Sequence, residues 1–265
     1  MILAQLSDLH FRPEGDMLRG FVDSNAMAER ALAAVAAMHP RPDAVIISGD
    51  ITDRGLPTEY AIAVRLIREH LDGLKVYVIP GNHDDRAGFR AAFVGFTGVE
   101  QHPDYVQYTI DDLPVRLIML DSVVPGAHYG ELGGDRLGWL DATLAEQPDR
   151  PTVIVLHHPP IRCGLPPADR IMLRDGPALA EVVARHKQVE RILCGHHHRA
   201  FTGRMGTAIV HATPSVAHGG VFDLVGNDDA FILEPPAFAA HVLGADGGLV
   251  SHTVLVDAFP GPHPY

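Results

Sequence analysis

Short apolar segments of strand length alternate along this chain with longer segments of helical period. The apolar segments cover residues 2–6, 44–48, 76–79, 115–120, 152–156 and 191–194. Helices are predicted between them at residues 25–38, 58–71, 136–146 and 176–186, and Ser24, Pro57 and Asp175 precede three of them as typical start signals. This alternation is typical of helices that cover β-sheets. The pattern therefore predicts an α/β fold.

The last quarter of the chain has a different pattern. Residues 238–243 and 249–256 flank a glycine-rich stretch and predict a β-hairpin, and residues 207–212 form a further strand candidate. Neither an internal repeat nor a low-complexity linker separates this part from the rest.

Five of the six predicted strands are followed directly by side chains that can bind a metal ion. These loops contain Asp8 and His10, Asp50, Asn82 to Asp84, His157 and His158, and His196 to His198. In open α/β sheets, ligands bind at the carboxyl ends of the strands. We therefore expect the five loops to converge on one site, although they are far apart in the sequence.

Composition narrows the class of protein. The 265 residues include 46% hydrophobic and 20% charged residues, which excludes a disordered chain, and no apolar run approaches the ~20 residues needed to cross a bilayer. Neither a signal peptide nor a disulfide framework is predicted, which favours the cytoplasm. The net charge is −12, so we expect no long nucleic acid and no membrane as a partner.

The polar loops contain enough ligands for two metal ions. On an extended segment, side chains two positions apart point the same way, which would bring together Asp8 with His10 and His196 with His198. A carboxylate such as Asp50 can bridge two ions. The predicted ligands, all oxygen or nitrogen donors, are Asp8, His10, Asp50, Asn82, His157, His196 and His198.

Such a donor set suits iron, manganese, zinc or cobalt and does not choose among them. Two transition metal ions about 3.5–4 Å apart stabilise both the attacking and the leaving oxygen in displacement at phosphorus, and they lower the pKa of a bound water. They also give an acidic protein a local positive charge that attracts an anionic substrate. The ligand set therefore points to hydrolysis of phosphoesters.

The same residues resemble the calcineurin-like metallophosphoesterase superfamily. Its blocks D-x-H, GD-x-x-D, GNH-D/E, H-x-P and GH-x-H occur here in order, beginning at residues 8, 49, 81, 157 and 195. The resemblance implies a four-layer α/β/β/α sandwich. It also implies a partition of the ligands, with Asp8, His10, Asp50 and His198 around one ion and with Asp50, Asn82, His157 and His196 around the other.

A narrower likeness links residues 18–25, 41–45, 81–86 and 121–126 to the class III cyclic nucleotide phosphodiesterases and their glycerophosphodiesterase relatives. It implies hydrolysis of small phosphodiesters, namely 3′,5′-cyclic nucleotides such as cAMP, glycerophosphodiesters, or both. Members of this branch form homodimers or higher homo-oligomers through their C-terminal regions. By this likeness residues 1–200 form the catalytic domain, 201–255 a small cap or dimerisation element, and 256–265 a tail.

For the reaction we expect a metal-bound hydroxide to attack phosphorus while Asn82 and both ions hold the non-bridging oxygens. The resemblance makes His83 a phosphate contact and the candidate acid for the departing alkoxide. His218 either approaches the substrate or is an ordinary loop histidine. The sequence also does not decide whether the pocket is lined by Arg12, Arg19, Asn25 or His128.

Two alternatives remain at this point. One is a phosphomonoesterase or nuclease that uses the same site. The other is a non-catalytic, metal-binding interaction scaffold, although such proteins usually lose ligands and this chain has them all.

Overall fold

The computed structural model describes residues 1–228 and 230–264. Its strands are β1 Ile2–Leu6, β2 Ala44–Ser48, β3 Lys75–Ile79, β4 Tyr108–Ile110, β5 Arg116–Met119, β6 Thr152–Val155, β7 Val189–Cys194, β8 Phe201–Met205, β9 Ala208–Ala212, β10 Gly219–Gly220, β11 Phe231–Ile232, β12 Ala237–Leu243 and β13 Leu249–Leu255. Its helices are α1 Ser24–Ala36, α2 Pro57–His70, α3 Arg86–Ala92, α4 Gly133–Glu146, α5 Pro166–Asp169 and α6 Gly176–Arg185.

Two large sheets form the centre of the protein. The first has the spatial order β13-β12-β1-β2-β3, in which β1, β2 and β3 are parallel and β12 and β13 are antiparallel. The second has the order β4-β5-β6-β7-β9-β8, with parallel strands in the middle and antiparallel strands at both edges. The short pair β10–β11 lies outside both sheets.

Successive side chains along the strands of the second sheet point to opposite faces, and the two faces belong to two different apolar clusters. In β5, Leu117 and Met119 pack in the large cluster that also contains Leu3 of the first sheet. Ile118, which points the opposite way, packs in a second cluster with Leu140 of α4 and residues of α6. The layers are therefore helix, sheet, sheet and helix, and the predicted α/β/β/α sandwich is confirmed. Each fully buried aliphatic side chain contributes roughly 1.5–3 kcal/mol.

The predicted central strands and helices are present, with ends that differ by up to three residues. One cap was wrong. The N-cap of α1 is Asp23, whose carboxylate accepts the N–H of Ala26 (3.0 Å). Ser24 is already helical, and its hydroxyl donates to the carbonyl oxygen of His10 (2.7 Å). Ser24 thus connects α1 to a predicted metal ligand.

The C-terminal part belongs to both central sheets. β8 and β9 extend the second sheet beside β7, and β12 pairs with β1 in the first. The boundary predicted at residue 200 therefore does not coincide with the edge of a sheet. Residues 213–236, which include β10 and β11, are the part of 201–255 that connects the two sheets. The role of 201–255 as a cap or dimerisation element stays a prediction.

Within the described residues, the longest helices have 14 residues, and none is both long and apolar enough to cross a membrane.

Candidate metal centre

The predicted ligands lie together where β1, β2, β3, β6 and β7 end. Five of them are buried: Asp8, His10, Asp50, His157 and His196. Asn82 and His198 are half-buried. Both sheets contribute ligands to the site. The loops after β1 to β3 come from the first sheet, and the loops after β6 and β7 come from the second.

The first group of ligand atoms belongs to Asp8, His10, Asp50 and His198, and all of these atoms lie within 4.8 Å of one another. His10 Nε2 is 3.1 Å from His198 Nε2, and His198 Nε2 is 3.2 Å from Asp8 Oδ1. Two imidazole nitrogens and a carboxylate that face each other at these distances suit one shared cation.

Asp50 connects this group to a second one. Its Oδ2 atom is 3.9 Å from His10 Nε2 and 3.3 Å from His157 Nε2. One ring nitrogen each of His157, His196 and the neighbouring His158, which is not a predicted ligand, also lie within 4.8 Å of one another. Asn82 Oδ1 and His157 Nε2 are buried and have no hydrogen-bond partner among the described residues. Buried polar atoms are rarely left unpaired, so these two suit a second ion next to Asp50.

The backbone conformation of the ligand residues sets the direction of their side chains. Asp8, His10, Asp50, His196 and His198 all have left-handed φ angles between 46° and 70°. Our expectation of extended segments was therefore wrong for Asp8–His10 and His196–His198, although the members of each pair reach the same site. Left-handed backbone costs a non-glycine residue of order 1–3 kcal/mol, and it persists only where the surroundings impose it.

The second ring nitrogen orients three of the four predicted histidine ligands. His157 Nδ1 donates to the carbonyl oxygen of Ser48 (2.8 Å), and His198 Nδ1 donates to that of His218 (3.1 Å). His196 Nε2 donates to the carbonyl oxygen of Ile171 (3.0 Å), which leaves its Nδ1 atom as the ligand. Such bonds fix the tautomer and the direction of a metal-binding imidazole. No sequence signal indicated these carbonyl partners.

The site has a strongly negative field. Burial alone would raise the pKa of Asp8, but His198 and His157 lower it to about 2. Burial would likewise lower the pKa of His157, yet Asp50 and Asp8 raise it to about 9. Carboxylates that stay ionised in a buried place attract cations, and a metal ion bound to His157 would replace the proton that they otherwise stabilise on its ring.

His83 lies beside the site. Its N–H donates to Asp50 Oδ1 (2.8 Å), its Nδ1 donates to the carbonyl oxygen of Asp53 (2.7 Å), and its ring is 4.8 Å from that of His10. Burial would lower the pKa of His83, but the carboxylates of Asp50 and Asp53 outweigh it and the pKa is raised. His83 is therefore held in place, and the two carboxylates stabilise a proton on its ring more than water would.

A cavity of about 670 Å³ opens onto the site. Of the residues whose place the sequence left open, those that line it are Arg19, His128 and His218. Asn82 and His83 line it too. The ring of His218 is 4.4 Å from that of His198, and burial lowers its pKa to about 2, with His198, His10 and Arg19 acting in the same direction.

Arg12 and Asn25 have structural contacts instead. The guanidinium of Arg12 pairs with Asp53, and its backbone N–H donates to Asn25 Oδ1 (2.9 Å). Asn25 in turn donates to the carbonyl oxygen of Arg12 (3.0 Å). Neither residue lines the cavity. The apolar wall formed by Leu165, Ile171 and Phe231 was not foreseen, because its residues come from two loop positions and the short strand β11, none of which carries a motif.

The family model described as calcineurin-like phosphoesterase matches residues 1–200. A protein of Arcobacter nitrofigilis named probable glycerophosphodiester phosphodiesterase GpdQ is 35% identical over 269 residues, which are 100% of this chain and 97% of that protein. The 3′,5′-cyclic adenosine monophosphate phosphodiesterase CpdA of Pseudomonas aeruginosa is 32% identical, over 81% of this chain and 76% of its own length.

Among solved structures, a dimetal phosphatase from Danio rerio superimposes with a TM-score of 0.69 at 17% identity, and the match covers 97% of this chain and 99% of that one. This likeness supports the four-layer fold. With the family model over three quarters of the sequence and relatives that match along nearly the whole of it, the chain belongs to the calcineurin-like phosphoesterase family.

Proposed function

We propose that the protein is a dinuclear metal-dependent phosphodiesterase that hydrolyses small phosphodiesters. The observation that carries the proposal is the convergence of two ligand groups on Asp50 at the floor of an open cavity. Relatives named for glycerophosphodiesters and for cyclic AMP support two substrate classes, glycerophosphodiesters and 3′,5′-cyclic nucleotides.

Asp8, His10, Asp50 and His198 would hold one divalent or trivalent ion, and Asp50, Asn82, His157 and His196 the other. When bound, two such ions polarise the phosphoryl oxygens and lower the pKa of water. The oxygen and nitrogen donors suit iron, manganese, zinc or cobalt.

Two side chains of this protein act on the substrate directly. Asn82 offers Oδ1 to an ion, which leaves its amide N–H groups to donate to a non-bridging phosphate oxygen. His83 keeps its Nδ1 proton on the carbonyl oxygen of Asp53 (2.7 Å). In the protonated imidazole, which Asp50 and Asp53 stabilise, Nε2 also carries a proton, and this proton can pass to the oxygen of the departing alcohol. His218, whose ring is 4.4 Å from that of His198, would contact the substrate as well.

The test is a substrate panel with purified protein and added manganese, zinc, iron or cobalt. It contains bis(p-nitrophenyl) phosphate, p-nitrophenyl phosphate, cyclic AMP and glycerophosphocholine. We expect turnover of diesters, with a higher kcat/KM for the bis ester than for the monoester. A preference for the monoester would support a phosphomonoesterase, and no turnover with any metal would support a scaffold.

We further propose a cytoplasmic homodimer, or a higher homo-oligomer, that contacts its partner through residues 201–255. This proposal is supported by Phe222, Leu224 and Val225, which are 66%, 54% and 86% exposed in the connecting segment. Large exposed apolar side chains in one segment often mark an interface. Light scattering should give the mass of at least two chains, and Val225→Asp should reduce it. A wild-type monomer would contradict the proposal.

A further inference from the structure

Arg19 occupies the tip of a tight turn at the cavity. The Phe21 N–H donates to the carbonyl oxygen of Leu18 (3.3 Å), and Arg19 and Gly20 have φ angles of 55° and 84°. Two consecutive positive φ angles are typical of a type I′ turn, whose first central position favours Asn or Gly. An arginine at this position is strained, and such strain is common at functional sites.

The turn is anchored against the cavity wall. Leu18 and Val22 exchange backbone hydrogen bonds of 2.8 and 2.9 Å, and both side chains are buried against Ala217. Next to them, Phe21 stacks on Phe231 with 5.9 Å between the ring centroids. Arg19 is therefore presented from a fixed backbone and not from a free loop.

The guanidinium of Arg19 has no acidic partner among the residues that the structure describes. Among residues 1–228 and 230–264, no carboxylate forms an ion pair with it, whereas Arg12 is paired with Asp53. Of the described residues that line the cavity, Arg19 is the only arginine or lysine. Asp223 and Asp228 line the same cavity, so its wall carries charges of both signs.

We propose that Arg19 is a specificity-determining residue that binds a carboxylate of the substrate beyond the reacting phosphate. The inference rests on the proposed phosphodiesterase function. The phosphate of a diester carries one negative charge, which the metal centre at the floor of the cavity would bind. The guanidinium of Arg19, on another loop, would therefore bind a second anionic group of the substrate. A guanidinium binds a carboxylate with two parallel hydrogen bonds. Asp223 and Asp228 can bind an ammonium group, so the preferred diester carries an amino-acid alcohol.

The experiment compares glycerophosphoserine with glycerophosphoethanolamine, which differ by one carboxylate. Arg19→Asn removes the guanidinium and suits the left-handed backbone, so its melting temperature should equal or exceed that of the wild type. We measure kcat/KM for the serine diester and divide it by kcat/KM for the ethanolamine diester. In Arg19→Asn this ratio should be about tenfold lower than in the wild type, because tenfold is the lower end of the effect expected for a charge-assisted hydrogen bond. The matched control is Arg30→Gln, an exposed arginine on α1 that does not line the cavity, and it should leave the ratio unchanged.

A second readout does not need turnover. Equilibrium titrations of the metal-loaded protein with O-phosphoserine and O-phosphoethanolamine should show the same loss of preference in Arg19→Asn. An unchanged ratio in both assays overturns the inference while diester hydrolysis by the wild type still supports the proposed function. Conversely, Arg19-dependent binding of O-phosphoserine without hydrolysis of any diester supports the role of Arg19 and contradicts the proposed function.

Discussion

At the scale of single residues, the site combines strained backbone with unpaired ligand atoms. His196 and His198 adopt left-handed φ angles of 70° and 54°, and His157 Nε2 is buried without a partner among the described residues. Both features cost free energy, and a cation bound between the side chains would offset that cost. The residue types were predictable from their motifs, whereas the left-handed angles were not, because they depend on hydrogen bonds between loops.

His83 offers a test of the proton donor. His83→Ala should lower kcat by ~10²–10⁴-fold, because general acid catalysis is typically worth that much. Metal content should stay near the wild-type value, since His83 contributes only a backbone N–H to Asp50. Steady-state kinetics and elemental analysis measure the two quantities. A comparable loss of metal would show that the side chain holds an ion.

At the scale of elements, hydrogen bonds connect the loops that follow the strands, and no local sequence pattern indicates these bonds. The Asp84 carboxylate accepts the N–H groups of Ile51 (3.1 Å), Thr52 (3.0 Å) and Gly81 (2.9 Å), so it ties the loop after β2 to the loop after β3. Strands with continuous apolar runs were predicted correctly. The three-residue strand β4 and the seven-residue helix α3 were missed, because short elements are stabilised by their neighbours more than by their own pattern.

The substitution Gly81→Ala tests the close contact between the loop after β3 and the loop after β2. A Cβ atom on Gly81 would lie 2.2 Å from Asp50 Oδ1 and 2.3 Å from Asp50 N, so Gly81→Ala must displace the bridging carboxylate. We expect loss of most bound metal and of activity. Gly134→Ala in α4 is the matched control, because no atom outside its two chain neighbours and the adjacent backbone of α4 lies within 4 Å of its added methyl group. Equal metal content in both variants would refute the close contact.

At the scale of the whole molecule, two sheets meet across a core that also contains polar groups. His241 Nε2 is 3.0 Å from Gln5 Oε1, and Gln5 donates to Oγ of Ser48 (2.8 Å), whose carbonyl oxygen accepts from the predicted ligand His157. The rings of His211 and His241 are 5.4 Å apart. Because β9, β12 and β1 bring these side chains together from distant parts of the chain, the buried histidine pair was not predicted.

His211 makes stability depend on pH. Burial, and then the charge of Arg191, lowers its pKa to about 4, below the ordinary value of 6.5 that it has when unfolded. The unfolded chain therefore binds more protons, and stability present above pH 6.5 is lost as the pH falls toward 4. Between pH 7.5 and 5 the loss from this group is about 2 kcal/mol.

Urea unfolding at both pH values measures this loss. The wild type should lose about 2 kcal/mol more than His211→Asn, which has no titratable group at that position. Equal losses in the two proteins would show that His211 titrates normally in the folded state.

Metal removal tests the whole arrangement. Because the ligands hold strained backbone and ionised carboxylates, chelation should lower the melting temperature, and at free metal of about 100 times Kd the bound ions contribute roughly 2.7 kcal/mol per site. Differential scanning fluorimetry before and after dialysis against a chelator, followed by readdition of manganese or zinc, should show a reversible shift. An unchanged melting temperature would argue against a site built for metal.

The sequence by itself determined the alternation of strands and helices and the kinds of side chain at the strand ends, because both depend on local periodicity and on motifs of a few residues. Only the tertiary structure decided how those side chains face one another. It pairs β12 with β1, positions Asp50 between two ligand groups, and directs Arg19 into the cavity. Each of these depends on contacts between residues far apart in the chain, and local pattern contains no information about such distances.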